Sequence, residues 1–200
     1  MNIEIKAVYD PNEEGFEKFL YRDMDNGRHY QRIVGGLAWP GIKPGFAVIL
    51  GENLRKDYDL NAHHIRILAE FESLDIEELF KWCVFSHSWF KGEWYLSLEN
   101  KPMMGLVYND NRFEHLSIGR APYSADPKGF RFYVAIFRRH LQSEKKTLHL
   151  GENSRLPSYL LELDTKDIST ADIDEFPAVA ALGYALTTLD LWDSAGRPGW

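Results

Sequence analysis

The chain is poor in cysteine, in uninterrupted apolar sequence and in positive charge. A single cysteine, Cys83, among 200 residues excludes an intramolecular disulfide and a cysteine-based zinc site within one chain. Flanked by Trp82 and Val84, it reads as a core thiol. No stretch approaches the roughly 20 apolar residues of a membrane-spanning helix, and the opening MNIEIKAVYD lacks the basic-then-apolar order of a secretory signal. The expectation is a cytoplasmic protein with no membrane partner. No G-x-x-x-x-G-K-[ST] sequence occurs, so no Walker-type nucleotide loop is expected. Lys and Arg number 23 against 30 Asp and Glu, a formal net charge of −7, which argues against nonspecific coating of nucleic acid. A local basic segment remains: residues 120–147 hold seven Lys and Arg, among them Arg131, Arg138 and Arg139, against Asp126 and Glu144.

What is present is material for one core. Hydrophobic residues make up 44% and aromatic residues 14% of the chain, and the length favours one domain with an N-terminal extension. Residues 2–9 alternate as a short strand. In PNEEGFEKFLYRDM, Phe16, Phe19 and Leu20 have the spacing of one helix face. GGLAWPGIKPG, residues 35–45, contains four Gly and two Pro and predicts a loop. The expected boundary therefore falls near residue 43, with an extension over 1–42 and the main domain over 43–200.

Strands are predicted at 45–52 and at 63–72, the second with Ile65, Ile67, Ala69 and Phe71 on one face. Ser73 is the expected N-cap of a helix through LDIEELFKWCVFSHSWF, whose aromatic load predicts deep burial. EWYLSL (93–98) and MMGLVY (103–108) are further strand candidates. DPKGFRFYVAIFRRHLQSEKK predicts a helix with Pro127 just inside its start and basic residues at its end. TLHL reads as a short strand, and residues 172–192 as a final helix with acids at its start and Pro177 in its first turn. LGEN occurs at 50–53 and again at 150–153, but the flanks do not match and no repeat is inferred.

Three carboxylate positions stand out: Glu52 ending the run FAVIL, Asp110 following MMGLVY, and Asp172 or Asp174 opening the last helix. Acids at strand ends and a helix start can converge at one sheet edge and hold two divalent ions for phosphodiester hydrolysis; hard oxygen ligands suit Mg²⁺ or Mn²⁺. Acids at a helix start also favour the positive end of the helix whatever the function. The seven histidines are scattered, and Ser86-His87-Ser88 lacks a G-x-S-x-G elbow, so it reads as a helix end. The aromatic set Trp82, Phe85, Trp89, Phe90, Trp94 and Tyr95 reads as core or partner interface, with stacking on single-stranded bases as the third option.

The order of these elements resembles the nuclease domain of phage terminase large subunits, a branch of the ribonuclease H-like fold, over residues 43–190. GFAVILGEN looks like that family's first strand with its metal-binding acid, Glu52; MMGLVYND looks like the strand bearing the second acid, Asp110. DIDEFPAVAALGYAL is similar to the closing acidic pair and alanine-rich helix, with Asp174 and, beside it, Asp172 or Glu175. The resemblance implies an α/β fold, a ribonuclease H-like mixed sheet flanked by helices. It also implies Mg²⁺- or Mn²⁺-dependent cleavage of DNA in a phage packaging setting, with a packaging-motor or other phage protein as a further partner. Glu52, Asp110 and Asp174 would be catalytic metal ligands supported by Asp172, and Arg131, Arg138 and Arg139 would contact phosphates. The competing expectation is the same fold without catalysis, docking another protein through its aromatic set. Glu52, one methylene longer than the Asp usual in the family, is the feature that favours it.

Overall fold

A strand that the glycine count hides lies at the centre of the fold. The computed structural model describes residues 3–9, 17–24, 29–30, 32–53, 63–87, 94–98, 117–120, 127–142, 146–151, 153–164, 171 and 173–195. In it, Arg32–Ala38 is a strand, β4, with neighbours on both sides. It follows a small antiparallel sheet of β1 (Ile3–Tyr9), β2 (Glu17–Asp23) and β3 (His29–Tyr30). After it come β5 (Gly45–Asn53), β6 (His63–Ser73), helix α1 (Ile76–His87), β7 (Trp94–Leu98) and β8 (Ser117–Arg120). The chain continues through α2 (Pro127–Gln142), β9 (Lys146–His149), α3 (Leu156–Asp164), a single 3₁₀ turn at Ile173–Glu175, and α4 (Pro177–Ala195).

Among the described residues the main sheet has six strands in the order β8-β7-β4-β5-β6-β9. The β4-β5 and β5-β6 pairs are antiparallel, and the β4-β7, β7-β8 and β6-β9 pairs are parallel, so β5 alone runs against the rest. This is an α/β fold with a mixed sheet flanked by helices. The strands expected at 45–52, 63–72 and 93–98 are present as β5, β6 and β7; MMGLVY lies outside the described residues. Two expectations are corrected. Residues 17–23 form a strand, not a helix, because a seven-pair ladder with β1 satisfies their backbone. Residues 35–38 are strand, not loop, and the main sheet therefore reaches back past the expected boundary at residue 43.

The glycines of β4 serve close packing. A Cβ on Gly36 would lie 1.9 Å from the Ala181 carbonyl oxygen of α4, so this helix rests directly on the central strand. Two residues further along α4, on the other side of the helix, a Cβ on Gly183 would lie 2.5 Å from the Tyr133 Cβ of α2. Small residues thus stack β4, α4 and α2 in successive layers. Consistent with that position, α4 is buried on every side from Ala178 to Leu189.

Strand β5 divides its side chains between two cores. Phe46, Val48 and Leu50 join the α4 side, while Ala47 and Ile49 join Leu79, Phe80 and Cys83 of α1. In β6 the expected single face breaks at a bulge: Ile49 pairs with Ala69 and Leu50 with Ile67, leaving Leu68 without a partner position. Ile65 and Ile67 therefore face α4, whereas Ala69 and Phe71 face α1. The small sheet covers the α1 side through Tyr21 and Tyr30, the latter lying against Gly51.

Overpacking at these contacts is a direct test of the layering. Gly36→Ala and Gly183→Ala are each expected to lower unfolding free energy by about 3 kcal/mol. Gly151→Ala, where a Cβ meets nothing within 4 Å, should change it by under about 0.5 kcal/mol. Urea titration of the three variants measures this.

Candidate functional site

Glu52 lies inside the protein. It is fully buried, on the α4 side of β5, and directly opposite Arg32 in the β4-β5 register. The Arg32 Nε is 3.2 Å from Glu52 Oε2, with side-chain exposures of 18% and 0%. The same guanidinium reaches the Leu189 carbonyl oxygen of α4 at 3.5 Å. The apolar run before Glu52 thus ends in an internal ion pair beneath a helix, in low dielectric where a lone carboxylate would be costly.

Asp174 occupies the opposite end of the molecule. It sits in the 3₁₀ turn ahead of α4, and a Cβ on Gly41 would lie 3.0 Å from its side chain. Gly41 precedes the start of β5, and Lys43 beside it pairs with Glu162 and lies 5.6 Å from the Phe176 ring. Because α4 runs from Ala181 over Gly36 to Leu189 beside Arg32, Asp174 is at one end of that helix and Glu52 near the other. Along β5 the span from Gly45 to Glu52 is about 23 Å at 3.3 Å per residue. Two metal ions about 4 Å apart cannot be shared across it. Glu52 and Asp174 are therefore not brought together and cannot share one Mg²⁺ or Mn²⁺ pair. Asp110 and Asp172 lie outside the described residues. Among the described residues, no group of three or more His, Cys, Asp or Glu is placed to hold a metal ion.

Arg131, Arg138 and Arg139 all lie on α2 and are exposed. Arg139 pairs with Asp190 of α4, whose other oxygen is 3.2 Å from Nε2 of the buried His140. That arginine ties two helices together. Arg131 and Arg138 share the outward side of α2 with Lys128, Phe132 and Ala135.

On the opposite face of the sheet, α1 and the outer part of β6 bound an open groove of about 780 Å³. Its floor is the stacked pair Phe71 and Trp82, with ring centroids 5.7 Å apart and planes 8° from parallel. Val84 and Phe85 continue it, and Glu72, Glu78 and Lys81 supply its charge. Phe85 is 62% exposed and the nearby Leu74 68%, so the deep burial expected of this aromatic set does not hold for all of it. Trp82 and Phe85 stood out in the sequence; Phe71 did not, because the Leu68 bulge that turns it toward α1 leaves no trace in the alternation of β6.

The ends of these elements are fixed by local polar chemistry. Asp75, not Ser73, caps α1: its Oδ1 accepts from the Glu77 N–H at 2.8 Å, and its carbonyl from the Leu79 N–H. Ser73 instead accepts from the Asp75 N–H and donates to Glu78 at 2.6 Å. At the other end of α1, the buried Ser86 hydroxyl donates to the Cys83 carbonyl at 2.8 Å, as a helix residue rather than a nucleophile. Across the sheet, Glu70 accepts from Ser154 and from the Arg155 N–H, and Glu72 pairs with Arg155 and accepts from the Tyr159 hydroxyl at 2.6 Å. These two carboxylates anchor the start of α3. Burial, together with the Glu72 hydrogen bond, pushes the Tyr159 phenol up to about 12.

Comparison with known proteins returns no relative: no family model, no curated protein and no solved structure matches the chain. Among the described residues no helix is long and apolar enough to cross a membrane.

Two outcomes follow from the buried groups. Arg32→Met and Glu52→Leu, made singly, are each expected to cost about 3–5 kcal/mol because each strands the other charge; the double variant should recover most of the loss. Urea denaturation of the four proteins gives that cycle. Burial also pushes the Cys83 thiol up to about 12 from an ordinary value of 9.0. The thiol stays protonated in the folded protein where the unfolded chain has lost its proton. Its contribution is thus complete below pH 9 and falls by up to about 1.4 kcal/mol per pH unit above it. Cys83→Ala should flatten stability measured between pH 9 and 11, and in the wild type alkylation at pH 8 should require unfolding.

Proposed function

We infer that this chain is a catalytically empty α/β module of ribonuclease H-like plan whose role is to bind another protein. What supports the plan is the strand order: a β4-β5-β6 meander whose middle strand alone is reversed, extended from β4 by the parallel strands β7 and β8. What supports the loss of catalysis is a single observation, the Arg32–Glu52 ion pair. The carboxylate that would hold a metal ion is enclosed, neutralised by a guanidinium and remote from Asp174. GFAVILGEN is moreover the reversed second strand of the meander. The first strand, β4, consists of RIVGGLA and carries no acid. A surface for binding is available in the aromatic groove beside α1, where an apolar floor is rimmed by charge in the manner of protein interfaces.

The test is incubation of supercoiled plasmid with the wild type and with Glu52→Ala, in Mn²⁺, in Mg²⁺ and in EDTA, alongside thermal melts with and without each metal. The expected result is no metal-dependent nicking and no metal-dependent rise in melting temperature, with Glu52→Ala less stable than the wild type. Nicking that needs metal and disappears in Glu52→Ala would overturn the reading.

A further inference from the structure

The α1 groove and the outward side of α2 are opposite in chemistry and lie on opposite faces of the sheet. The groove is apolar and its surroundings are acidic: Asp75, Glu77 and Glu78 are exposed along the start of α1, against Lys81 alone as a lining cation among the described residues, while Glu72 is balanced by Arg155. The outward side of α2 presents Lys128, Arg131 and Arg138 one or two turns apart, with Phe132 and Ala135 between them. Phe132 is 38% exposed and Leu141, near the helix end, 44%. A basic helix carrying apolar side chains at this spacing is the shape and charge that an acidic aromatic groove accepts.

We propose that the partner seated in the groove is a second copy of this chain, which inserts the outward side of its α2 between α1 and β6. The proposal rests on the interaction-module reading and names its partner. The arrangement follows from the layers. Helix α1 packs on one face of the sheet, and α2 lies beyond α4 on the other, so one molecule cannot satisfy its own groove. For the same reason, two molecules facing each other cannot make both contacts at once. Each copy then offers one groove and one helix, and association is head-to-tail, growing into a ring or a chain instead of stopping at a symmetric pair.

Light scattering on the purified full chain tests this. Wild type is expected to gain mass with concentration past the dimer. Raising salt from about 0.1 to about 1 M, which shortens the screening length from about 10 to about 3 Å, should disperse it. Phe85→Asp in the groove and Arg138→Glu on α2 should each weaken association by about tenfold or more. Glu78→Lys serves as a second groove variant that leaves the aromatic floor intact. The decisive sample is an equimolar mixture of Phe85→Asp and Arg138→Glu, which retains one intact groove and one intact helix. It should form a one-to-one dimer and grow no further. A wild type that stays monomeric, association that survives both substitutions, or a mixture that stays monomeric overturns the proposal. Those outcomes leave the plasmid assay untouched, so failure of self-association and failure of the module reading are read separately.

Discussion

The architecture depends on one contact, the seating of α4 on Gly36. With the Ala181 carbonyl 1.9 Å from where a Cβ would be, helix and central strand meet backbone to backbone. This closeness needs a helix face as small as the strand, and Ala178, Ala181 and Ala185 provide it. It also leaves room for a second layer, since Gly183 on the far side admits Tyr133 of α2, whose ring meets Tyr184 edge-on at 4.7 Å between centroids. Helix α4 is therefore a core element with helices and sheet around it, and its direction over β4 decides what lies at each end of the domain. Asp174 and Lys43 belong to one end. Arg32, Glu52 and the Leu189 carbonyl belong to the other.

The α1 and α2 sequences are legible by their helical period, whereas GFAVILGEN and the final helix are legible as apolar runs, since β5 is buried on both faces and α4 on every side. The failures share a different cause, which is that the deciding partner is remote. Gly36 looks like a turn residue until a helix more than 140 positions later is laid on it. Residues 17–23 have a few apolar residues at helical spacing, yet β1 offers a full ladder of backbone partners, and that decides. The nine residues of α3 are too few to be stable alone and depend on Glu70 and Glu72 of β6 for their start. The bulge at Leu68 turns Phe71 toward α1, and no local pattern records it.

The strand character of residues 32–38 and the burial of Glu52 are linked. Once residues 32–38 are seen to be a strand, the short connection to β5 makes an antiparallel pair whose register sets Arg32 opposite Glu52. A carboxylate with an arginine as cross-strand neighbour is a structural ion pair before it is a metal ligand. A loop over 35–45 would instead leave Arg32 in an extension and Glu52 as the exposed end of an apolar strand. The arginines of α2 were legible as a basic helix, but the engagement of Arg139 by Asp190 required knowing that α2 lies against α4.

This packing also limits where the sheet can hold a charged side chain. Gly36 holds the middle of β4, and any side chain there meets the Ala181 carbonyl before it meets solvent. Introducing an acid would lift α4 from the sheet, uncover the Gly183–Tyr133 layer and strand a charge in the largest apolar cluster of the protein. Where β4 begins and β5 ends a charge is held, because Arg32 and Glu52 face each other and pair. The glycine strand and the alanine face of the helix thus exclude polar side chains from the centre of the sheet.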